Sequence, residues 1–164
     1  MQHETVMNVL SDPLAQELLH CPLLARLGYI GADGAPRVVP VGYVWNGSTF
    51  IVCTAMQAPK VRALASNAKV ALSIDTGTDA QPPHVLLVRG TATVEIVDGV
   101  PNEFLEASDK SLPRDQWPQF EAQVRSIYPQ MARITIEPEW AKLLDFETRL
   151  PIAVEWLVSG EPRP

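Results

Sequence analysis

RVVPVGYVWNGSTFIVCT, residues 37–54, is the stretch on which the fold turns. Its two arms are rich in Val, Ile, Tyr, Phe and Trp and flank Asn46-Gly47. β-branched and aromatic residues on either side of an Asn-Gly pair are the signature of a β-hairpin. Asn-Gly favours the left-handed angles of a type I′ turn, so strands over 37–45 and 48–54 should pair tightly. Just upstream, residues 23–30 have the same character and are followed by a second turn signal, Asp33-Gly34. Three consecutive antiparallel strands are therefore expected.

Working outward, the period changes from strand to helix at PKVRALAS, residues 59–66. Proline opens the first turn, and Val61, Leu64 and Ala65 share a face. KVALSID (69–75) returns to strand, 76–83 is a polar loop, and HVLLVRGTATVEIV (84–97) is a long strand with Gly90 marking a bend or bulge. Residues 101–110 and 117–128 read as helices, 132–137 and 140–146 as strands, and 158–164 as a frayed tail. Ahead of the hairpins, 12–20 has Leu14, Leu18 and Leu19 at helical spacing behind Ser11 or Asp12 as cap. Short antiparallel strands of this number lose their exposed edges by closing into a barrel. The expectation is one mainly β, antiparallel barrel over residues 10–150 with small α insertions, and a C-terminal tail over 151–164.

Composition narrows the function. Thirteen Lys and Arg against nineteen Asp and Glu leave a net charge of −6 over 164 residues. A chain holding nucleic acid across its surface would be basic, so that class is set aside. No charge-free run of about 20 apolar residues exists to span a membrane. Residues 1–10 lack the basic start and apolar run of a signal peptide, and Cys21 and Cys53 form no disulfide framework. A cytoplasmic location is the resulting expectation. His3, His20 and His84 have no metal-ligand spacing. Gly28, Gly31 and Gly34 do not make a dinucleotide fingerprint, and Ser66-x-x-Lys69 lacks its partner motifs.

The segment with chemistry in it is TAMQAPKVR, residues 54–62. A strand ends on the hydroxyl of Thr54, and a helix opens with Lys60 and Arg62 in its first turn. Cations there oppose the helix dipole, at about 0.3–1 kcal/mol each. The free N–H groups of the same turn attract an anion. A phosphate would reconcile the two, whereas side chains extended into solvent are the plainer alternative. Arg37 and Lys69 join Lys60 and Arg62 in sequence around the same strands, which suggests a small phosphorylated ligand.

In their order, these motifs resemble the pyridoxamine 5′-phosphate oxidase-like flavoproteins. The resemblance is carried by residues 37–54 and then by Lys60-Val-Arg62-Ala-Leu64-Ala-Ser-Asn67-Ala-Lys69-Val70-Ala-Leu72. It implies an FMN-binding split β-barrel that dimerises with the cofactor at the subunit interface. It also implies hydride transfer between the flavin and a small-molecule substrate. By position, Pro40, Val41 and Gly42 would run along the ring edge, Thr54 and Lys60 would hold the phosphate, Arg62 would assist, and Arg37 would approach the ribityl phosphate.

A deazaflavin coenzyme (F420) reductase, or a non-catalytic flavin- or haem-binding module, are the alternatives within the resemblance. The chain departs from it in three places. Pro59 stands where many relatives carry arginine, Val85 and Leu86 replace a glutamine near the flavin, and the ending GEPRP is not the arginine- and tryptophan-rich one of the oxidases. Vitamin B6 oxidation is therefore not the expected activity. No catalytic acid or base can be assigned: Tyr29, Tyr43 and His84 fit core or strand positions. Trp45 and Trp140 fit packing as readily as ring stacking.

Overall fold

The computed structural model describes residues 3–21, 24–77 and 82–160. Strand β1 (Ala25–Ile30) alternates strictly, burying Ala25, Leu27 and Tyr29 and turning Arg26 and Gly28 outward. The single strand expected over 37–45 is two. Strand β2 (Pro36–Val41) pairs with β1, whereas β3 (Val44–Trp45) pairs with β4 (Phe50–Ala55). Strands β5 (Lys69–Asp75), β6 (Val85–Asp98) and β7 (Gln130–Leu144) complete one antiparallel sheet in the order β2-β1-β5-β6-β7-β4-β3. Its two edge strands, β2 and β3, are consecutive in the chain with only Gly42 and Tyr43 between them. The sheet is thus closed by covalent continuity, which is the split β-barrel expected.

Tyr43 holds that corner. Its ring is 1 % exposed against Phe50, and its hydroxyl donates to the carbonyls of Leu18 and Leu19 at 3.1 and 3.3 Å. Those carbonyls end α2 (Pro13–His20), where helical C=O groups lack partners of their own. Burial pushes the phenol above its ordinary pKa, so it stays neutral through the usual pH range. Tyr43→Phe should lower stability by about 0.5–1.5 kcal/mol, the net worth of one buried hydrogen bond. Urea unfolding would show it as a shifted midpoint at unchanged slope.

Two other expectations are corrected by the register. The turn after β3 is a four-residue loop, and only Gly47 takes a left-handed angle, φ 95°. Asn46 instead uses its side-chain carbonyl, accepting from the backbone N–H of Ser48 and Thr49 at 3.0 and 2.8 Å. The two strands expected over 132–137 and 140–146 are one, β7, of 15 residues. Its Pro138 lies opposite Gly90, where the β6–β7 register shifts, so the missing N–H breaks no ladder bond.

Helices cover the barrel. Helix α1 (His3–Leu10), which the sequence reading did not anticipate, buries Val6 and Leu10 in the main core. Helix α3 (Pro59–Ser66) sits where expected and buries Ala63 and Leu64. Helices α4 (Asn102–Asp109) and α5 (Trp117–Ile127), joined through a 3₁₀ turn at Arg114–Gln116, form a smaller core. In it Val100, Leu105 and Val124 close over Met131 of β7. The tail expected over 151–164 contains a helix, α6 (Ile152–Ser159), capped by Gly160 at φ 71°. The rest of that tail, 161–164, lies outside the described residues, as do residue 23 of the expected first strand and 78–81 of the expected polar loop. No helix among the described residues is long and apolar enough to cross a membrane. Cys21 and Cys53 are both free thiols.

Candidate functional site

The connection from β4 to α3 is short because each end is fastened. Thr54 pairs with Ala132 of β7, the Ala58 N–H donates to the Ala55 carbonyl at 3.0 Å, and Val61 donates to Ala58 at 2.9 Å. Ala58 is the N-cap and offers no side-chain acceptor, so the first turn of α3 is uncapped. Lys60, in that turn, is half-buried and Arg62 is exposed. Burial alone lowers the Lys60 pKa, with no carboxylate to offset it.

This lack of partners sets the pair apart. Seven lysines and arginines are in ion pairs, among them Arg37 with Asp33 at 2.6 Å and Lys69 with Glu139 at 3.0 Å. Arg89 lies over the Trp140 ring, and Lys110 donates to the Tyr43 carbonyl at 3.0 Å. Among the described residues, Lys60 and Arg62 have neither a carboxylate nor a hydrogen-bond acceptor. They occupy one turn of one helix. Arg114, exposed in the 3₁₀ turn after α4, is likewise without a partner among the described residues, but Lys60 and Arg62 stand together in one helical turn, which makes them the pair available to an external anion.

The other expected site residues distribute along the barrel's closing strand. Arg37 is on β2, beside the turn that carries Asp33, and lines a shallow groove with Tyr29 and Val70. Pro40 faces solvent on the β2 edge, where a missing N–H is tolerated, and Val41 is buried. Gly42 lies at the corner and lines a cleft of about 270 Å³ with Cys53, Phe104 and Ala107. Thr54 is half-buried at the end of β4. Thr54, Lys60 and Arg62 line none of the four clefts described. None of these four clefts among the described residues gathers all seven. The Arg37–Asp33 pair is solvent-exposed and screened, so it does not lock Arg37 away from a ligand.

Sequence reasoning passed over the wall of the Gly42 cleft. Phe104, Ala107, Ser108 and Ser111 fall at i, i+3, i+4 and i+7, one face of a helix, and that spacing was the available signal. Cys53, one residue before Thr54, contributes its thiol. Burial pushes that thiol up to about 11, so it is protonated and unreactive near neutrality. In a Cys21→Ser protein, alkylation of Cys53 by iodoacetamide at pH 8 should be about tenfold or more slower than that of a free thiol of pKa about 8.5. It should accelerate as pH rises toward 11, the folded value. A rate at pH 8 equal to that of free cysteine would contradict the burial.

Residues 11–143 match the family model described as pyridoxamine 5′-phosphate oxidase. No curated protein matches the chain. Among solved structures, an F420 reductase superimposes with a TM-score of 0.60 at 25 % identity, covering 77 % of this chain and 94 % of its own. General stress protein 26 from Bacillus anthracis gives 0.57 at 18 % identity, over 84 % and 96 % of the two chains. A conserved hypothetical protein from Mycobacterium tuberculosis gives 0.56 at 14 % identity, over 100 % and 91 %. The last two bear on the fold alone.

Proposed function

The chain belongs to the pyridoxamine 5′-phosphate oxidase family, and on that premise we propose that it is an FMN-dependent oxidoreductase of a small-molecule substrate. The observation that carries this reading is the pair of unpartnered cations, Lys60 and Arg62, in the uncapped first turn of α3. Both would bind the phosphoryl group of the cofactor, with the Thr54 hydroxyl as a third donor. The Pro40-Val41-Gly42 backbone would orient the ring, and Arg37 would turn from Asp33 toward the ribityl phosphate. When bound, the flavin supplies the hydride chemistry, and the barrel supplies position and exclusion of water.

A second chain belongs to this reading. The family resemblance implies a homodimer with the cofactor between its subunits, and in this reading the partner completes the site around Lys60 and Arg62. The exposed strand β2, with Val38 at 70 % exposure, offers an apolar surface for it.

One observation favours a second reading. The F420 reductase at 25 % identity points to a deazaflavin coenzyme, which shares the tricyclic ring and ribityl phosphate and so suits the same cations. Purified protein titrated separately with FMN and with F420, followed by cofactor fluorescence and by sedimentation, tests both. Saturable binding of one cofactor per chain by a dimer is expected, and the tighter of the two names the coenzyme. Reduction of the bound coenzyme followed by product formation separates an oxidoreductase from a storage module. Failure of both cofactors to bind would sink the proposal.

A further inference from the structure

The cleft beside Gly42 has a chemical character of its own. It opens between the outer face of β4 and the α4–α5 pair, and its walls are Gly42, Cys53, Phe104, Ala107, Ser108 and Phe120 with three neighbours. No carboxylate, amine or guanidinium lines it among the described residues. Its volume, about 270 Å³, equals the liquid share of about nine water molecules. The rings of Phe104 and Phe120 stack on each other, 11° apart with centroids at 6.3 Å, and together give the space an aromatic wall. Polar capacity is limited to hydroxyls and a neutral thiol. Ser108 donates to the Phe104 carbonyl at 2.8 Å, which leaves its oxygen free to accept.

The cations beside the cleft are paired through their terminal nitrogens, although the buried Nε of Arg133 has no partner, and the two carboxylates on Arg133 outweigh its single charge. Arg133 is divided between Glu95 and Glu103, and Lys110 is held on the Tyr43 carbonyl. A charged guest would lose its water here and meet no countercharge, a large penalty in an apolar site. Gly42 joins the cleft to the backbone that runs along the cofactor ring. A methyl group at Gly42 would stand 3.5 Å from Ala107, so glycine keeps this mouth open.

We propose that this cleft is the substrate pocket and that it takes uncharged, flat, largely apolar molecules of one or two fused rings, rejecting phosphorylated and other ionised ones. The assignment rests on the flavin reading only for what happens to the guest; its selectivity follows from the walls themselves. The Ser108 oxygen sits where it can accept one hydrogen bond from a hydroxyl or N–H substituent of the guest.

Two probes of one ring system test it by calorimetry: 2-naphthol and naphthalene-2-sulfonate. The neutral probe should bind at least about tenfold tighter, a difference of about 1.4 kcal/mol. Ser108→Phe, which fills the cleft, should weaken 2-naphthol about tenfold or more while FMN affinity stays within about twofold. Should that variant misfold, slowing of the iodoacetamide alkylation of Cys53 by 2-naphthol in the Cys21→Ser protein, followed at pH 9 where some thiolate is present and the naphthol is still mostly neutral, reads the same occupancy. Equal affinity for the two probes, or absence of both the Ser108→Phe effect and the protection, overturns the inference. Naphthol selectivity without cofactor binding would overturn the flavin reading and leave the pocket standing. Cofactor binding without selectivity would do the reverse.

Discussion

Gly90→Ala should lower the thermal midpoint by about 6–12 °C, the consequence of about 3 kcal/mol lost in a domain of this size. Strands β6 and β7 share the longest ladder in the barrel, from Val85↔Leu144 to Asp98↔Gln130. Their register shifts between Arg89 and Gly90, with Pro138 opposite and Glu139 as the extra residue. A Cβ at position 90 would fall inside the van der Waals envelope of the Glu137 carbonyl oxygen and 3.2 Å from the Ile136 side chain. The obstructing atom is backbone in the middle of a ladder, so it cannot swing aside as a side-chain tip would. Gly28→Ala is the matched control. Its new methyl would meet nothing nearer than 3.7 Å, and little change is expected. Circular dichroism melts of both variants check the pair. A Gly90→Ala midpoint within about 2 °C of the parent would show that the bulge can reopen around a methyl group.

The same bulge explains one limit of reading the chain as a string. Residues 132–137 and 140–146 read as two strands, and between them lies Pro138, a residue that removes a ladder donor. Only the partner strand, some fifty residues away, shows that no donor was required there. Residues 37–45 misled in the opposite direction: nine β-forming residues read as one strand, yet the chain turns a barrel corner at Gly42-Tyr43. What fixes the corner is the Tyr43 hydroxyl bonding to the end of α2, a tertiary contact no local pattern encodes. Helix α3 and strand β5 were legible to the residue, because proline at the first turn and strict alternation are local signals. For the site, cations in a helix's first turn could be seen in sequence, since placement against a dipole is also local. That Lys60 and Arg62 lack partners while Arg37 and Lys69 have them could not. Nor could the Gly42 cleft, which joins β4 to a helix fifty residues on.

Lys60→Ala should weaken cofactor binding by about 1.5–3 kcal/mol, the range for a charge-assisted hydrogen bond, or about tenfold to 150-fold in Kd. The same substitution should leave the cofactor-free protein as stable as before, or slightly more so. The Lys60 amine is half-buried without a partner, and burial lowers its pKa. Below that lowered value the ammonium is protonated in both folded and unfolded chains, and folding bears its desolvation. As pH rises through the folded value, the folded chain sheds the proton first and the penalty is relieved. Removing the amine removes the penalty at every pH. A bound phosphate reverses the balance by supplying the missing anion, so binding should raise the Lys60 pKa and affinity should decline at alkaline pH, earlier than deprotonation of an exposed lysine would dictate. Arg62→Ala, at an exposed position, should cost less affinity and respond more to salt. Cofactor titrations at several pH values and two ionic strengths, alongside melts of the cofactor-free variants, separate these effects. A variant lacking the amine that binds FMN and F420 as tightly as the parent would move the phosphoryl group away from α3. A variant that loses binding together with its cofactor-free stability would make Lys60 a structural residue instead. Weakened binding on an undiminished fold is the outcome that places the amine on the ligand.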